Sequence, residues 1–412
     1  MVLPECLSVK IKYPNPVSSN QTHRPSEKPL SGIFFRRPVR TNRNIMKKRY
    51  KYPLIALSPI LLAAAVFGIE FYRNIGKLPD ESRFARLPYY QNGAFRNIYT
   101  APELPYYPER ATGKGGFIRD DSYVPKGRLP MHTLDKNSFG QAEAFAYYWL
   151  GHASAILELG GQRILIDPVF DNASPVSLPI IVPRFQEAPI SRENLPHIDA
   201  VLISHDHYDH LEAATVRHLA DKAARFIVPL GVSDRLQSWG VPSEKITELG
   251  WGDAAELNGV KITAETAQHY SARWRTDRNK TLWASFVLEG AGRRLYWSGD
   301  TGYGPHFADI GKKYGGFDTA FLEIDAANAG WPQTHMFPEQ SVQAALDLGA
   351  KRMVPMHWGV FSLGRNPWYV SIDKAVKTAA HKNLPLDVPK MGEKYRPDSF
   401  RNDGWWTRKE LR

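Results

Sequence analysis

Residues Ser204-His205-Asp206-His207-Tyr208-Asp209-His210 follow the apolar run Ala200-Val201-Leu202-Ile203, and no other feature of the chain restricts its fold as strongly. A short apolar run bounded by polar residues reads as a buried strand, so a cluster of metal-capable side chains begins where that strand ends. Side chains alternate along extended backbone, which sends His205 and His207 to the same side. Two imidazoles so placed can grip one zinc ion, while Asp209 and His210, past the bend, reach a second. The plainer alternative is a polar strand-to-helix turn whose histidines only cap or hydrogen-bond. Clustering of these residues at one strand exit argues against it.

The chain has 412 residues, room for one large domain or two ordinary ones. Hydrophobic content of 43% and aromatic content of 12% are those of a globular protein. The single Cys6 excludes a disulfide framework and a thiolate cluster, so any metal must be held by nitrogen and oxygen. The net charge of +11 is concentrated at one end: residues 1–53 carry 12 Lys or Arg against 2 Glu, which leaves the rest at +1. A nearly neutral body argues against a nucleic-acid partner, for which a basic surface is expected.

Residues 1–53 read as a basic, disordered tail. The run Met46-Lys47-Lys48-Arg49 precedes an apolar stretch, 54–71, whose only charge is Glu70. Such a stretch is about long enough to cross a bilayer as a single-pass anchor, with the positive flank cytoplasmic and the catalytic domain on the periplasmic side. A cleaved signal peptide with a site near Ala63 and Ala65 is the alternative; apolar residues continuing through Ile69 favour the anchor. Translation starting at Met46 would place the basic run directly at the terminus. Residues 72–140 read as an irregular lead-in that packs on the main domain, 141–395, and 396–412 as a C-terminal tail. Within the main domain, strands are expected at Ala144–Leu150, Ala155–Leu159, Arg163–Ile166, Ala200–Ile203 and Arg225–Pro229. A second series follows at Val260–Thr266, Leu282–Leu288, Arg294–Ser298, Thr319–Ile324 and Met353–Met356. Helical spacing appears at Val216, Leu219, Ala220 and Ala223 and again over Ser341–Leu348. Two strand-rich halves with helices predict an α/β sandwich, two packed mixed sheets with outer helices.

One cluster cannot supply two metal sites, since each needs three or four ligands. His269, Asp300 and His357 each end a predicted strand, on the same edge as the first motif, and complete the candidate set.

These residues lie in a pattern that resembles the metallo-β-lactamase-fold hydrolases. From about Tyr147 to Leu363 the chain is similar to the N-acylphosphatidylethanolamine-hydrolysing phospholipase D branch. The likeness is carried by Trp149-Leu150-Gly151-His152-Ala153, Leu165-Ile166-Asp167-Pro168, Gly299-Asp300-Thr301-Gly302-Tyr303 and His357-Trp358-Gly359. The resemblance implies an αββα sandwich with two zinc ions per chain, one on His205, His207 and His269, the other on Asp209, His210 and His357, with Asp300 bridging. It also implies that Asp209 orients the attacking hydroxide, that His335 is catalytic, and that Tyr208 and His335 contact the substrate phosphate. The plainer alternative for His335 is a surface histidine at a helix start. His152 and Asp167 match supporting positions, and hydrogen bonds that orient the ligands are expected of them.

The expected activity is that of a zinc-dependent phosphodiesterase, in which a metal-bridging hydroxide attacks the phosphorus of a phospholipid of the N-acylethanolamine type. A lactonase or small-ester hydrolase of the same fold is the alternative, and a non-catalytic membrane-associated factor a third. The expected partners are the phospholipid, a membrane and a second copy of the chain as a homodimer, with no nucleic acid. Aromatic segments at 274–283 and 367–370 are the candidates for touching lipid, although aromatics are commoner in cores.

Overall fold

The first element of the computed structural model, which describes residues 59, 61–99 and 123–412 except 177, 179, 180, 329, 330, 332 and 365, is helix α1 over 61–75. The basic tail, Met46 and residues 54–58 fall outside the described residues. Among the described residues no helix is long and apolar enough to cross a membrane. The expected single-pass anchor, with its catalytic domain on the periplasmic side, is therefore corrected. The C-terminal turn of α1 is polar, with Glu70, Arg73 and Asn74, and it is hydrogen-bonded to the domain body.

Strands β1 (Tyr90–Gln91) and β2 (Ala94–Phe95) form a hairpin around Asn92-Gly93, both at positive φ as a two-residue turn requires. The main domain is two sheets. In the first, β3 (Phe145–Gly151), β4 (Ser154–Leu159) and β5 (Gln162–Ile166) run antiparallel, and β6 (Ala200–Leu202), β7 (Arg225–Pro229) and β8 (Ile246–Leu249) continue from β5 in parallel. In the second, β9 (Ala254–Leu257), β10 (Val260–Glu265), β11 (Ser285–Gly290) and β12 (Arg293–Trp297) are antiparallel, and β13 (Thr319–Glu323) and β14 (Met353–Met356) are parallel to β12. The short β15 (Lys394–Tyr395) returns to pair with β3.

Strand periodicity builds the layers. On β3, Tyr147 and Trp149 enter the core between the sheets, where the Tyr147 and Phe321 rings lie 4.6 Å apart. Tyr148 and Leu150 face the other way, into a second core. That outer core is covered by α2 (Ala213–Leu219) through Val216 and Leu219, and by α3 (Val232–Ser238) through Val232 and Leu236. Helices α4 (His306–Tyr314), α5 (Pro338–Asp347) and α6 (Val370–His381) carry Phe307, Val342 and Ile372 into the core of the second sheet. The αββα arrangement of two mixed sheets is thus as expected. Parallel strands buried on both faces need near-continuous apolar sequence, which is why β6, β13 and β14 were legible.

The segment read as a tail, 396–412, is integral. Trp405, Trp406 and Leu411 are buried, and the Trp405 indole stacks on Trp358 with ring centroids 5.5 Å apart.

Candidate metal centre

Five strands end at one edge of the sandwich, and their last residues or the loops that follow them carry the side chains of the candidate site. Loop 203–211 follows β6, His269 follows β10, Asp300 follows β12, Glu323 closes β13 and His357 follows β14. His152, Asp167 and His357 all take positive φ, a conformation that costs a non-glycine residue energy and that persists where the surroundings hold it. Gly299 is required for a different reason: a Cβ there would lie 2.9 Å from the Ala284 carbonyl oxygen and 2.9 Å from Ser204 Cβ. The absent side chain lets the Asp300 turn close against the histidine loop.

Asp300 faces two groups of histidines. Its Oδ2 is 3.6 Å from Nε2 of His205 and 3.6 Å from Nε2 of His269. Its Oδ1 is 3.1 Å from Nε2 of His210 and 3.1 Å from Nε2 of His357. His207 completes the first group through Nδ1, 2.8 Å from His205 Nε2. Asp209 completes the second, with Oδ2 at 3.4 Å from His357 Nε2 and 3.6 Å from His210 Nε2. The ligand atoms of His205, His207, His269 and Asp300 lie close enough together to hold one ion, as do those of His152, Asp209, His210 and His357. Among the described residues, His210 Nε2, His357 Nε2 and Asp300 Oδ1 are buried without hydrogen-bond partners. Buried polar atoms are rarely left so, and three of them converging on one space fit a divalent cation.

The surrounding groups set which nitrogen is offered. Asp167 accepts from the Ser204 amide at 2.7 Å and from His210 Nδ1 at 3.0 Å, which leaves His210 Nε2 for the centre. The Thr334 carbonyl accepts from His269 Nδ1 at 2.7 Å and turns its Nε2 inward in the same way. His152 donates from Nε2 to Asp209 Oδ2 at 2.9 Å, so it orients Asp209 while lying among the possible ligand atoms itself.

Burial, reinforced by the neighbouring histidines, holds His205 well below the ordinary histidine range. It lowers His207 and His269 too, although the nearby carboxylates oppose it there. Burial also opposes charge on His357, but Asp300 and Asp209 outweigh it and push that histidine up to about 10. Both acids stay ionised against their own burial, Asp209 chiefly through His210 and Asp300 chiefly through His210 and His357. His152, buried and beside His357, falls to about 3.

His335 lies at the cleft floor, its Nε2 4.0 Å from Asp300 Oδ2. Its Nδ1 donates at 2.6 Å to Glu323, a fully buried carboxylate that also accepts from the amides of Thr301 and Met336. Sequence reasoning missed Glu323, because a lone acid closing the apolar run Phe321-Leu322 carries no motif. Tyr208 lines the cleft, but its hydroxyl is engaged by the Arg273 carbonyl at 2.8 Å. Asp206, the remaining acid of the motif, turns away to Arg235 at 2.9 Å. The aromatic segments divide: Trp283 and Trp368 are core residues, whereas Trp274 is 47% exposed.

Above the floor opens a cleft of about 570 Å³, walled by Val124, Val182, Phe185, Tyr270 and Leu363, with Arg278 at its side. The Arg278 guanidinium stacks over Tyr270 at 4.3 Å.

The profile of the beta-lactamase superfamily domain matches residues 162–358. An uncharacterized protein of Mycobacterium tuberculosis is 38% identical over 326 residues, 77% of this chain and 87% of its own length. The N-acyl-phosphatidylethanolamine-hydrolyzing phospholipase D 1 of Caenorhabditis elegans is 32% identical over 265 residues, 61% of this chain and 74% of its own. A UPF0173 metal-dependent hydrolase of Rubrobacter xylanophilus is 31% identical, with 52% of this chain and 81% of the relative covered. With His and Asp clusters able to hold metal at the strand ends of this fold, the chain belongs to the beta-lactamase superfamily, as a metal-dependent hydrolase homologous to N-acyl-phosphatidylethanolamine-hydrolysing phospholipases D.

Proposed function

We propose that the protein is a dinuclear zinc phosphodiesterase that hydrolyses a phospholipid of the N-acylphosphatidylethanolamine type. The observation that carries this reading is Asp300, which offers one carboxylate oxygen to each of two histidine groups at the floor of an apolar-walled cleft. Zinc held by the two groups would supply Lewis acidity, lowering the pKa of water and polarising a phosphoryl oxygen.

The chain's own residues do the rest. Asp209, fixed by His152, would orient the attacking water, whose proton goes to solvent. His335 donates Nδ1–H to Glu323 and so presents Nε2 to the cleft floor, where it can contact a phosphoryl oxygen. Burial works against a charge on His335, but Glu323 and then Asp300 raise it above its ordinary range, which favours the form with a proton on Nε2 to give. As the new bond to phosphorus forms and the bond to the alcohol breaks, the departing alcohol oxygen takes that proton from Nε2. The apolar walls suit the acyl chains of the substrate.

Hydrolysis of a phospholipid panel in ¹⁸O-labelled water tests the reading. Release of an N-acylethanolamine with the label on the phosphate of phosphatidic acid is expected. Label in a released fatty acid would mark an ester hydrolase instead.

A further inference from the structure

We propose that Arg273 is a positioning residue that ties the C-terminal turn of helix α1 to the loop carrying His207, Asp209 and His210, so that a helix outside the family domain braces the metal centre. The inference rests on the reading of that loop as metal-binding. Arg273 is only 3% exposed, and its guanidinium reaches both ends of the loop: Nη1 donates to the Asp206 carbonyl at 2.8 Å and to the Leu211 carbonyl at 2.7 Å. The same group donates from Nη2 to the Asn74 carbonyl of α1 at 2.7 Å and from Nε at 3.2 Å. Its flat face lies over the Tyr208 ring at 4.0 Å and near Trp239 at 5.0 Å. A planar fork with several fixed donors can bracket three carbonyls at once, which an ammonium cannot do in the same geometry.

Two neighbours repeat the arrangement on adjacent carbonyls of the helix end. Trp239 Nε1 donates to the Arg73 carbonyl at 2.7 Å, and Arg235 Nη1 to the Ile75 carbonyl at 2.7 Å. Arg235, fully buried, also binds the Asp206 carboxylate at 2.9 Å and Asp277 at 2.8 Å. The last carbonyls of a helix lack partners within it and form its negative end, so two buried cations and an indole donor suit them. Gly76 then closes the helix at φ +76, where a Cβ would meet the Trp239 ring at 2.8 Å. Residues 61–75 lie outside the matched domain at 162–358, yet their carbonyls bond to the same guanidinium that fixes both ends of the ligand loop.

The test compares the full chain with Arg273→Lys and Gly76→Ala, the second touching no residue of the site. Zinc affinity is measured by competition with a chromogenic chelator, and folding by circular dichroism and thermal unfolding of the metal-free protein. Both variants should fold and hold zinc about 10–100-fold more weakly, the loss seen when groups that orient ligands are changed. Coupling is reciprocal, so zinc loading of the unaltered protein should slow amide exchange at residues 71–75. That measurement decides the matter if a variant fails to fold. Folded variants with undiminished zinc affinity, or unchanged exchange at 71–75, would overturn the bracing role alone. An unaltered chain that takes up no zinc would overturn the metal reading and the bracing with it.

Discussion

Asp300 divides its two oxygens between the histidine groups, so its loss should be felt in both places. Asp300→Asn should lower the metal content of both sites together, whereas His357→Ala should empty mainly one; elemental analysis after gel filtration distinguishes the two patterns. A second expectation concerns pH. His357 in the metal-free chain is raised to about 10 by Asp300 and Asp209 against the cost of its burial, so it is protonated at neutral pH. A ligand nitrogen must be neutral, so metal uptake expels that proton, and affinity should rise with pH by about tenfold per unit for each proton released. Titration calorimetry at pH 7 in buffers of different ionisation enthalpy should show a buffer-dependent heat; identical heats would contradict it. Glu323→Gln should lower turnover about 100-fold with little change in KM, because His335 loses the group that aligns its proton. Combining it with His335→Gln should cost little more than either alone, as expected of residues acting as a unit. The histidines and Asp300 were legible because each follows an apolar run in a distinct motif. Glu323 was not, and neither was the pairing of Asp206 with Arg235, which depends on a residue 29 positions away.

At the scale of elements, strands buried on both faces announce themselves, and the expected β3–β7 and β10–β14 all form, within a few residues of their predicted bounds. The exceptions have physical causes. β8 and β9 are short and half exposed, so Ile246-Thr247-Glu248-Leu249 and Ala254-Ala255-Glu256-Leu257 lack a long apolar run. The strand expected from Leu282 begins at Ser285, because Leu282 and Trp283 are buried in a loop against Phe84 and Phe95. The C-terminal segment is the larger surprise. Its Trp405-Trp406 pair was the visible hint, since paired indoles are poorly suited to a solvated tail. Trp405 is fully buried, stacked on Trp358 and Trp368, and bonded to the Val388 carbonyl at 3.2 Å. Trp405→Ala should therefore destabilise the fold by about 3–5 kcal/mol, read as a lower denaturant midpoint at an unchanged slope. Since Trp358 directly follows His357, the same variant should also weaken metal retention.

Across the whole molecule, the distribution of charge and apolar sequence was misleading at the N-terminal end. Residues 54–71 have the composition of a span, yet among the described residues no helix is long and apolar enough to cross a membrane, and the carbonyls of residues 73–75 are bonded by Trp239, Arg273 and Arg235. Apolar content alone does not reveal such long-range polar contacts, whose donors lie some 160 to 200 positions away in the chain. The candidate metal centre was far more legible, because the fold gathers its side chains at strand ends that the sequence marks with motifs. Under the proposed function two metal ions act together across Asp300. Activity on the phospholipid, measured as zinc is added stepwise to the chelator-treated protein, tests it most directly. No turnover is expected without metal, and activity should rise to a break at two equivalents per chain. Full turnover in the metal-free protein, or saturation at one equivalent, would contradict it.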